Sequence, residues 1–501
     1  MTYQEAISYL YSFINYENLY KYSYKKSFDL ERVKAFLEFI GNPQQKLQVI
    51  HVAGSKGKGS VCAFIVYILR EAGFNVGLYT SPHLNDFRER IRILDQTTSA
   101  FAEELSSSAS ADARRSSQRR RAEFEGMISR KEICDLVSKL KPSIDKFNRI
   151  SKYNALTFFE VYTALAFQYF KDKKVDFVVL ETGLGGRLDA TNVCSSLLSI
   201  ITPISFEHTY LLGNTLKEIA YEKASIIKKQ NKRTSGGKIL VLTSKQDKSV
   251  IDVIQKIAKG KNVLLIRQGK DFKFSIKENN SFDYIGLNSK IENLNINLLG
   301  RHQIENASLA IASVEALRYH NMEFHRHTCE GDIPAWPAGR RRSPELMLGR
   351  RRINIGEQAI RDGLKNCIWP ARFEIISKNP LIVLDGAQNS ASVKALDKVL
   401  KENFPNKRIW IIFGISKDKE LRDTCRQISE ISNKIILTKS DNLRASEPKD
   451  LLRYFRGNSI LLTKSTREAL NLTKSNANKN DLILVTGSLY LCGEAREIEI
   501  N

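Results

Sequence analysis

The sequence lacks the features of disulfide-bonded, zinc-binding and membrane-spanning proteins. Its seven cysteines have no CxxC spacing and are odd in number, so we expect neither a disulfide framework nor a zinc site. No apolar run approaches the roughly 20 residues that cross a bilayer. The first residues, MTYQEAISYL, carry an acid where a signal peptide would carry positive charge. We therefore expect a cytoplasmic protein with no membrane partner.

Acidic residues are scarce relative to basic ones. The chain has 55 Asp and Glu against 78 Lys and Arg, a formal net charge of +23. Such an excess suits either nucleic acid or anionic small molecules. The lysines are spread along the whole chain and no aromatic-basic recognition motif is present. We therefore expect small-molecule substrates and no nucleic acid.

Apolar runs of strand length alternate with helical patterns along the chain. This alternation is typical of parallel sheets built from β-α-β units, so the predicted fold class is α/β. A length of 501 residues exceeds what one hydrophobic core supports, and two domains are expected. The second series of strands begins near Phe373, which places the predicted boundary close to Arg372.

Two segments interrupt this alternation. Residues 97–125 are rich in Ser, Ala and Arg, and residues 320–352 contain Pro, Gly and Arg triplets. Neither has a periodic apolar face, so both are predicted to be disordered surface insertions. A basic docking arm for an acidic partner is the alternative.

A glycine-rich segment lies between the predicted strand LQVIHVAG and the apolar helix VCAFIVYIL. Glycines let backbone N–H groups curl around phosphate oxygens, and the helix N-terminus adds a favourable dipole. Lys58 can neutralise terminal phosphates and Ser60 can contact magnesium. Gly59 separates these two residues, unlike the common G-x-x-x-x-G-K-[ST] spacing, so a plain glycine-rich turn is the alternative. The predicted phosphate loop consists of Gly54, Ser55, Lys56, Gly57, Lys58, Gly59 and Ser60.

Two polar residues follow other predicted strands. Glu181 ends the strand VDFVVLE, and His208 follows SLLSIITPI. A carboxylate at the carboxyl end of a central strand, beside a phosphate loop, is a ligand for a hard cation. The alternatives are a capping or surface acid for Glu181 and a satisfied structural histidine for His208.

Nine motifs in this order resemble the folylpolyglutamate synthase and dihydrofolate synthase branch of the Mur ligase superfamily. They cover nearly the whole chain outside the two interrupting segments, and their combination is far more specific than any one of them. The motifs are VIHVAGSKGKGS, YTSPHL, LETGLGGRLDATN, EHTYLLGNTLKEIAYEKASIIK, GRHQIENASLA, WPARFE, LDGAQN, FGISKDKE and TGSLYLCGE.

The resemblance implies a division into two domains and a metal-dependent reaction. Residues 1–370 would form a P-loop-type ATP-binding domain with a mainly parallel sheet, and residues 371–501 a smaller Rossmann-like α/β domain. ATP would be a co-substrate, with two Mg²⁺ ions as cofactors. The implied metal ligands are Ser60, Ser81, Glu181, His208 and Lys223, with Lys223 carbamylated. Without the family pattern, Lys223 is an ordinary exposed helix lysine that would repel a cation.

The resemblance also assigns nucleotide, catalytic and substrate residues. Asn306, Arg372 and Asp385 join the phosphate loop in binding ATP; for Asn306, a helix N-cap is the alternative. Lys58, His208 and Lys223 are the implied catalytic residues. Phe159 is otherwise a core residue. The residues implied to hold the pterin end of the substrate are Phe28, Asp29, Leu30, Thr157, Phe158, Phe159, Glu160, Leu188, Asp189 and Ala190.

The implied reaction joins L-glutamate to dihydropteroate or to a tetrahydrofolate through an acyl phosphate, in a monomeric enzyme. The chain departs from the family pattern at Ser55, Lys56, Glu207 and Gln388; of these, Lys56 and Gln388 change the chemical type, which can reduce nucleotide affinity or turnover. Two other readings stay open: a ligase of UDP-linked muramoyl precursors from the same superfamily, and a non-catalytic basic protein associated with nucleic acid.

Overall fold

The structure of the 501-residue chain is a computed structural model. It describes residues 1–19, 22–97, 124–229, 239–277, 281–287, 289–317, 346–348, 351–353, 355–432, 434–455 and 459–500. The predicted insertions at 97–125 and 320–352 fall almost wholly outside these ranges, so their assignment stays a prediction. In the part of the chain that is described, no helix is long and apolar enough to cross a membrane.

A seven-stranded sheet forms the centre of the N-terminal part. Its order is β3-β2-β4-β1-β5-β6-β7, and every neighbouring pair is parallel except β2 with β3. The strand β1 therefore lies between β4 and β5. The seven strands are β1 Val49–Ala53, β2 Val76–Tyr79, β3 Ile91–Leu94, β4 Phe177–Glu181, β5 Ser196–Ile201, β6 Leu240–Thr243 and β7 Leu264–Arg267.

This sheet is apolar along its strands because helices cover both of its faces. In β1, the side chains of Ile50 and Val52 join one core and that of Val49 joins the other, as the alternation of a strand requires. The helices of this part are α1 Tyr3–Tyr11, α2 Tyr24–Ser27, α3 Leu30–Phe39, α4 Lys58–Glu71, α5 Arg130–Ile150, α6 Phe158–Asp172, α7 Thr209–Leu212, α8 Leu216–Ala224, α9 Lys248–Gly260, α10 Arg301–Leu317 and α11 Glu357–Asn366.

Smaller antiparallel sheets follow the seventh strand. Three strands pair in the order β10-β9-β8, and two further strands pair with each other. Buried residues of the three-stranded sheet, such as Phe282 and Tyr284, belong to the same core as α4. The strands are β8 Lys273–Ile276, β9 Ser281–Ile285, β10 Lys290–Asn295, β11 Leu346–Leu348 and β12 Arg351–Ile353.

A six-stranded sheet with its own two cores forms the C-terminal part. Its order is β13-β14-β18-β15-β16-β17, with only β13 antiparallel to its neighbour. Ile411 and Phe413 face one core, and Trp410 and Ile412 face the other. The elements are β13 Glu374–Lys378, β14 Leu381–Asp385, α12 Ser390–Asn403, β15 Ile409–Phe413, α13 Leu421–Ile431, β16 Lys434–Leu437, α14 Pro448–Leu451, β17 Ser459–Leu462, α15 Thr466–Asn476, β18 Leu482–Thr486 and α16 Leu489–Ile500.

The α/β fold class with mainly parallel sheets is thus confirmed. The C-terminal sheet starts at Glu374, close to the boundary that the motif WPARFE indicated. The division into residues 1–370 and 371–501 stays a prediction.

A buried ion pair connects α3 to α6. The Arg32 guanidinium donates to both carboxylate oxygens of Glu160 at 2.7 to 3.2 Å, and both side chains are almost fully buried. Glu160 also accepts the backbone N–H of Thr157 at 2.8 Å, while the Thr157 hydroxyl accepts the N–H of Glu160 at 3.4 Å. This capping box starts α6, so the contacts of Glu160 are structural.

We predict that Arg32→Ala lowers the free energy of unfolding by about 3–5 kcal/mol, because the Glu160 carboxylate would stay buried without its partner. Lys34→Ala is the matched control on the same helix, since Lys34 pairs with Glu31 at 2.7 Å on the exposed surface and should matter little. Urea unfolding followed by circular dichroism measures both variants. Equal stability of the two variants would contradict the prediction.

Candidate active site

The glycine-rich segment joins β1 to α4 and wraps around the end of β5. The backbone N–H groups of Ser55 and Lys56 both donate to the carbonyl of Pro203, at 3.0 and 3.2 Å. Gly54 and Gly57 have positive φ values of 151° and 80°, and Gly57 is the N-cap of the helix. These bonds use the N–H groups of Ser55 and Lys56, so the loop residues that can offer a backbone N–H to an anion are those at the start of α4, from Gly57 onward.

Lys58 folds back over this loop. Its Nζ donates to the carbonyl oxygen of Gly54 at 3.2 Å. Its positive charge acts to lower the pKa of Glu181, Glu207 and His208. Lys58 is therefore electrostatically coupled to Glu181 and His208, two of the predicted metal ligands.

Glu181 ends β4 and is buried, with 6% of its surface exposed. Its Oε2 accepts the backbone N–H of Ser81 at 3.2 Å. Burial raises the pKa of Glu181, while the charges of Lys58 and Arg372 oppose that rise. The hydroxyl of Ser81 is buried and has no hydrogen-bond partner among the residues that the structure describes. The alternative that Glu181 is a surface or capping acid is wrong.

Lys223 lies in the last turn of α8 and points into the site. Only 2% of it is exposed, so the alternative of an ordinary exposed lysine is wrong. Its Nζ donates to the carbonyl of Gly54 at 2.8 Å and to Glu207 Oε1 at 2.5 Å. Burial lowers the pKa of Lys223, opposed by the Glu207 carboxylate, and the charge of Lys58 lowers it further.

His208 precedes α7 in a left-handed conformation with φ of 46°. A non-glycine residue there carries backbone strain, which concentrates at functional sites. Burial lowers the pKa of His208 to about 4, against the opposing charge of Glu207, so the ring is neutral at pH 7. A neutral imidazole can bind a metal ion. His208 lines the large cleft described below.

Asn306 lies in the second turn of α10, not at its start. The helix begins at Arg301, so the N-cap alternative is wrong. The Asn306 amide donates to Gln303 Oε1 at 3.1 Å, and its Oδ1 lies 2.4 Å from the position where a Cβ on Gly57 would stand. The amide therefore packs against the phosphate loop, and only glycine fits opposite it.

The C-terminal part brings further polar residues to the same edge. Arg372 donates to the carbonyl of Ala371 at 3.1 Å, and its charge acts on Glu181 and Asp385. Asp385 accepts the N–H groups of Phe373 and Ala387, both at 2.9 Å. Lys56 Nζ donates to Asn389 Oδ1 at 3.0 Å, which ties the phosphate loop to the start of α12.

A large cleft lies beside the loop and enters both parts of the chain. It encloses about 1090 Å³ including its open mouth. Of the predicted substrate residues, Phe28, Thr157, Phe159 and Asp189 line it. The other six, Asp29, Leu30, Phe158, Glu160, Leu188 and Ala190, do not line it.

A smaller cavity of about 490 Å³ connects to the loop from the opposite side of Ser81. Gly59, Ser81, Glu181 and Arg372 line it, together with Trp369. The two cavities share Ser81, which therefore lies between the substrate-sized cleft and the predicted phosphate and metal residues.

Sequence reasoning missed several residues of the large cleft. Three aromatic rings, those of Tyr16, Tyr22 and Phe28, lie with centroids 4.9 to 5.9 Å apart. The tyrosine-rich segment around residue 20 was a signal for this cluster. The missed lining residues of the C-terminal part are Ser416, Lys419, Arg444 and Tyr490.

Among the described residues, no group of three or more His, Cys, Asp or Glu side chains has the arrangement of a metal site. The predicted site instead combines Glu181 with hydroxyl-bearing residues, of which Ser81 is bonded to Glu181 through its backbone N–H. Carboxylate and hydroxyl oxygens suit Mg²⁺ together with phosphate oxygens.

Comparison with known proteins identifies the family. The Mur ligase middle domain matches residues 135–314, and the Mur ligase glutamate ligase domain matches residues 371–489. A dihydrofolate synthase/folylpolyglutamate synthase of Bacillus subtilis (strain 168) is 31% identical over 484 residues, covering 93% of this chain and 94% of the relative.

Solved structures agree with this match. The crystal structure of a folylpolyglutamate synthase from Thermotoga maritima has a TM-score of 0.73 and 30% identity, covering 99% of this chain and 96% of that one. Escherichia coli FolC in complex with DHPP and ADP shares the fold, with a TM-score of 0.75 at 24% identity over 99% of this chain and 97% of that one. The family predicted from the nine motifs is confirmed: the chain belongs to the dihydrofolate synthase/folylpolyglutamate synthase family of Mur ligases.

Proposed function

We propose that this protein is an ATP- and Mg²⁺-dependent amide ligase that adds L-glutamate to dihydropteroate, to a tetrahydrofolate (poly)glutamate, or to both, through an acyl phosphate. One observation carries the proposal. The charge of Lys58, on the predicted phosphate loop, acts on both Glu181 and Lys223, and Ser81 and His208 beside these groups line a cleft large enough for a pterin substrate.

In this proposal the ATP phosphates bind at the loop and the start of α4. Arg372 and Asp385 contact the nucleotide from the C-terminal part, and Asn306 contacts the adenine. The family match over residues 371–489 and the charge of Arg372 at Glu181 support these roles. The loop residues are Gly54, Ser55, Lys56, Gly57, Lys58, Gly59 and Ser60. Lys56 is held by Asn389, so its amine adds positive charge at the junction of the two parts.

The residues around Glu181 fit a magnesium ion. The Ser81 hydroxyl is buried without a hydrogen-bond partner in the described part of the chain, and the Glu181 carboxylate lies beside it. Ser60, Ser81 and Glu181 would hold one Mg²⁺, and His208 with Lys223 would hold a second. Bound Mg²⁺ supplies positive charge that stabilises charge developing on phosphoryl oxygens.

Catalysis in this proposal is mainly positioning and electrostatics. The pterin-bearing substrate presents its carboxylate to the γ-phosphate of ATP, and Lys58 offsets the charge on the phosphoryl oxygens. The α-amine of glutamate then displaces phosphate from the acyl phosphate. Glu181 is buried, and Lys58 and Glu207 are half-buried, so these side chains limit the access of water that would hydrolyse this intermediate.

The large cleft would take the pterin end of the substrate. Phe28 and Phe159 offer ring faces for stacking, and Thr157 offers a polar contact. Asp189 lines the cleft and holds the backbone of Gly183 and Leu184 in its wall. Asp29, Leu30, Phe158, Glu160, Leu188 and Ala190 support these residues from behind. Because both parts of the chain line the cleft, we propose that residues 1–370 and 371–501 are separate domains whose closure completes the site. We also propose that the protein is a monomer and is located in the cytoplasm.

The direct test is an assay of ADP formation by the purified protein with MgATP and L-glutamate. We expect ADP formation with dihydropteroate, with tetrahydrofolate, or with both, and only when glutamate is present. No ADP with either folate would reject the proposal. Turnover of a UDP-linked muramoyl substrate would assign the other ligase class, and salt-dependent RNA or DNA binding without turnover would assign the non-catalytic class.

We predict that Glu181→Gln raises the Mg²⁺ concentration for half-maximal ADP formation by at least about tenfold, because a neutral amide replaces an anionic oxygen ligand. Excess Mg²⁺ should restore part of the rate. Glu31→Gln is the control, since Glu31 lies on the exposed surface of α3. An unchanged Mg²⁺ requirement in Glu181→Gln would remove this residue from the metal site.

We predict that Lys223 takes up CO₂ as a carbamate. Carbamate formation needs the neutral amine, and burial lowers the pKa of Lys223, which increases that fraction at neutral pH. Protein incubated with ¹³C-bicarbonate should give a carbamate carbon signal that is absent in Lys223→Arg. A spectrum without that signal would assign Lys223 as an unmodified ammonium paired with Glu207.

We predict that Gly57→Ala weakens binding of a non-hydrolysable ATP analogue by about tenfold or more, because the new Cβ would displace Asn306 from the loop. Gly41→Ala is the matched control. Gly41 has a similar positive φ of 84° but no atom within 4 Å of the new Cβ, so it carries the same backbone strain without the clash. Isothermal titration calorimetry measures both; similar affinities would contradict the prediction.

A further inference from the structure

A histidine lies in the middle of the central strand of the first sheet. His51 is the third residue of β1, between β4 and β5, and none of its surface is exposed. Its strand neighbours are apolar, and its side chain shares a face with Val49, toward the core that contains Ala190. No role in the proposed reaction uses this ring.

The ring is part of a chain of buried hydrogen bonds. His51 Nε2 lies 2.8 Å from the hydroxyl of Thr191, and Cys194 Sγ lies 3.9 Å from Nδ1. The Thr191 hydroxyl donates to Asp189 Oδ1 at 2.5 Å. All four residues are at most 2% exposed. This series of hydrogen bonds therefore extends from His51, in the core of the sheet, to Asp189, which lines the cleft.

The direction of these bonds follows from the number of protons. The Asp189 carboxylate can only accept hydrogen bonds, so the Thr191 hydroxyl must donate its single proton to Asp189. Thr191 must then accept from His51, which requires the tautomer with the proton on Nε2. Burial and the charge of Lys228 lower the pKa of His51 well below its usual value, so the ring is neutral and has one N–H to give.

Asp189 connects this series of hydrogen bonds to the backbone in the wall of the cleft. Its Oδ2 accepts the backbone N–H groups of Gly183 and Leu184, both at 2.9 Å, and Oδ1 also accepts the N–H of Thr191 at 3.0 Å. Four donors thus occupy the carboxylate. Gly183 and Leu184 line the cleft, as does Phe159, whose Cζ lies 2.7 Å from where a Cβ on Gly183 would stand.

A purely structural role does not account for this arrangement. Apolar residues at positions 51 and 191 would fill the same core without burying polar groups, and such replacements are often neutral or stabilising. The bonds instead connect the sheet to the turn at Gly183 and Leu184, which forms part of the wall of the cleft. We infer that His51 is a positioning residue: through Thr191 and Asp189 it holds the backbone of residues 183 and 184 and the adjacent Phe159 ring in the shape that the pterin-bearing substrate needs.

This inference rests on the proposed function for its ligand, so the wild-type assay above comes first. In His51→Leu we expect KM for the pterin-bearing substrate to rise about tenfold, the usual cost of an unmade buried hydrogen bond, with KM for ATP and kcat nearly unchanged. His51→Gln can donate from its amide and should restore KM to within about threefold of wild type. Equal rises in KM for all substrates, or no rise, would overturn the inference.

Two further variants separate positioning from general loss of stability. Ser199→Ala is the matched control, because Ser199 is the register partner of His51 on β5, is fully buried, and bonds to Ser196 and Ile226 instead of to this chain. It should leave KM unchanged. Thr191→Val should raise KM for the pterin-bearing substrate as much as His51→Leu does. The double variant should raise KM no further, because both substitutions break the same series of hydrogen bonds. Additive effects would overturn the inference.

Two readouts do not depend on turnover. Nitrogen-15 shifts of the histidine signal that disappears in His51→Gln should show a proton on Nε2; a proton on Nδ1 would overturn the inference. Hydrogen exchange of residues 183–191 should be faster in His51→Leu than in Ser199→Ala, and equal exchange would also overturn it. If the wild-type protein turns over neither folate substrate, the proposed function fails. These two measurements still decide whether His51 holds the backbone of residues 183–191 in place.

Discussion

The carbonyl oxygen of Gly54 accepts from two lysine ammonium groups, Lys58 at 3.2 Å and Lys223 at 2.8 Å, and the geometry of the site depends on this arrangement. Two like charges so close repel each other, and burial strengthens that repulsion. Glu207 offsets part of it through its ion pair with Lys223, and the charge of Lys58 also acts on Glu181. Because these two carboxylates balance the two lysines, the positive charge that would favour an anionic ligand comes from Lys56 on the loop and from Arg372.

Sheet topology explains why these groups meet. The phosphate loop follows β1, Glu181 ends β4, and Glu207 with His208 follows β5. Because β4, β1 and β5 are adjacent and parallel, their carboxyl ends lie at one edge of the sheet, which is where ligands bind in open α/β sheets. The same strand order places His51, on β1, between β4 and β5. From this position its ring contacts Thr191, in the segment that connects β4 to β5.

The C-terminal part completes the site by direct contacts. Lys56 reaches Asn389, and Asn85 donates to the carbonyl of Gly493 at 2.8 Å, so both the phosphate loop and the segment after Ser81 are bound to it. Arg372 adds its charge beside Glu181. Apolar contacts also join the two parts, because Leu84 and Phe124 pack into one of the two cores of the C-terminal sheet.

Local patterns in the sequence were sufficient to predict the fold class and the family, because continuous apolar runs and nine ordered motifs can be recognised without the fold. The glycines before a helix likewise predicted a phosphate loop, which stays a prediction. The sequence also indicated Glu181 and Asn306, although their alternatives as a surface acid and a helix N-cap were removed only by their positions in the fold. Tertiary structure alone decided that Lys223 is buried against Gly54 and Glu207, that Glu160 belongs to an ion pair with Arg32, and that residues near Tyr16, Lys419 and Arg444 share one cleft. The physical reason is that burial, pKa shifts and hydrogen-bond direction arise between side chains that are distant in the chain, such as His51 and Thr191, and no periodicity in the sequence encodes that distance.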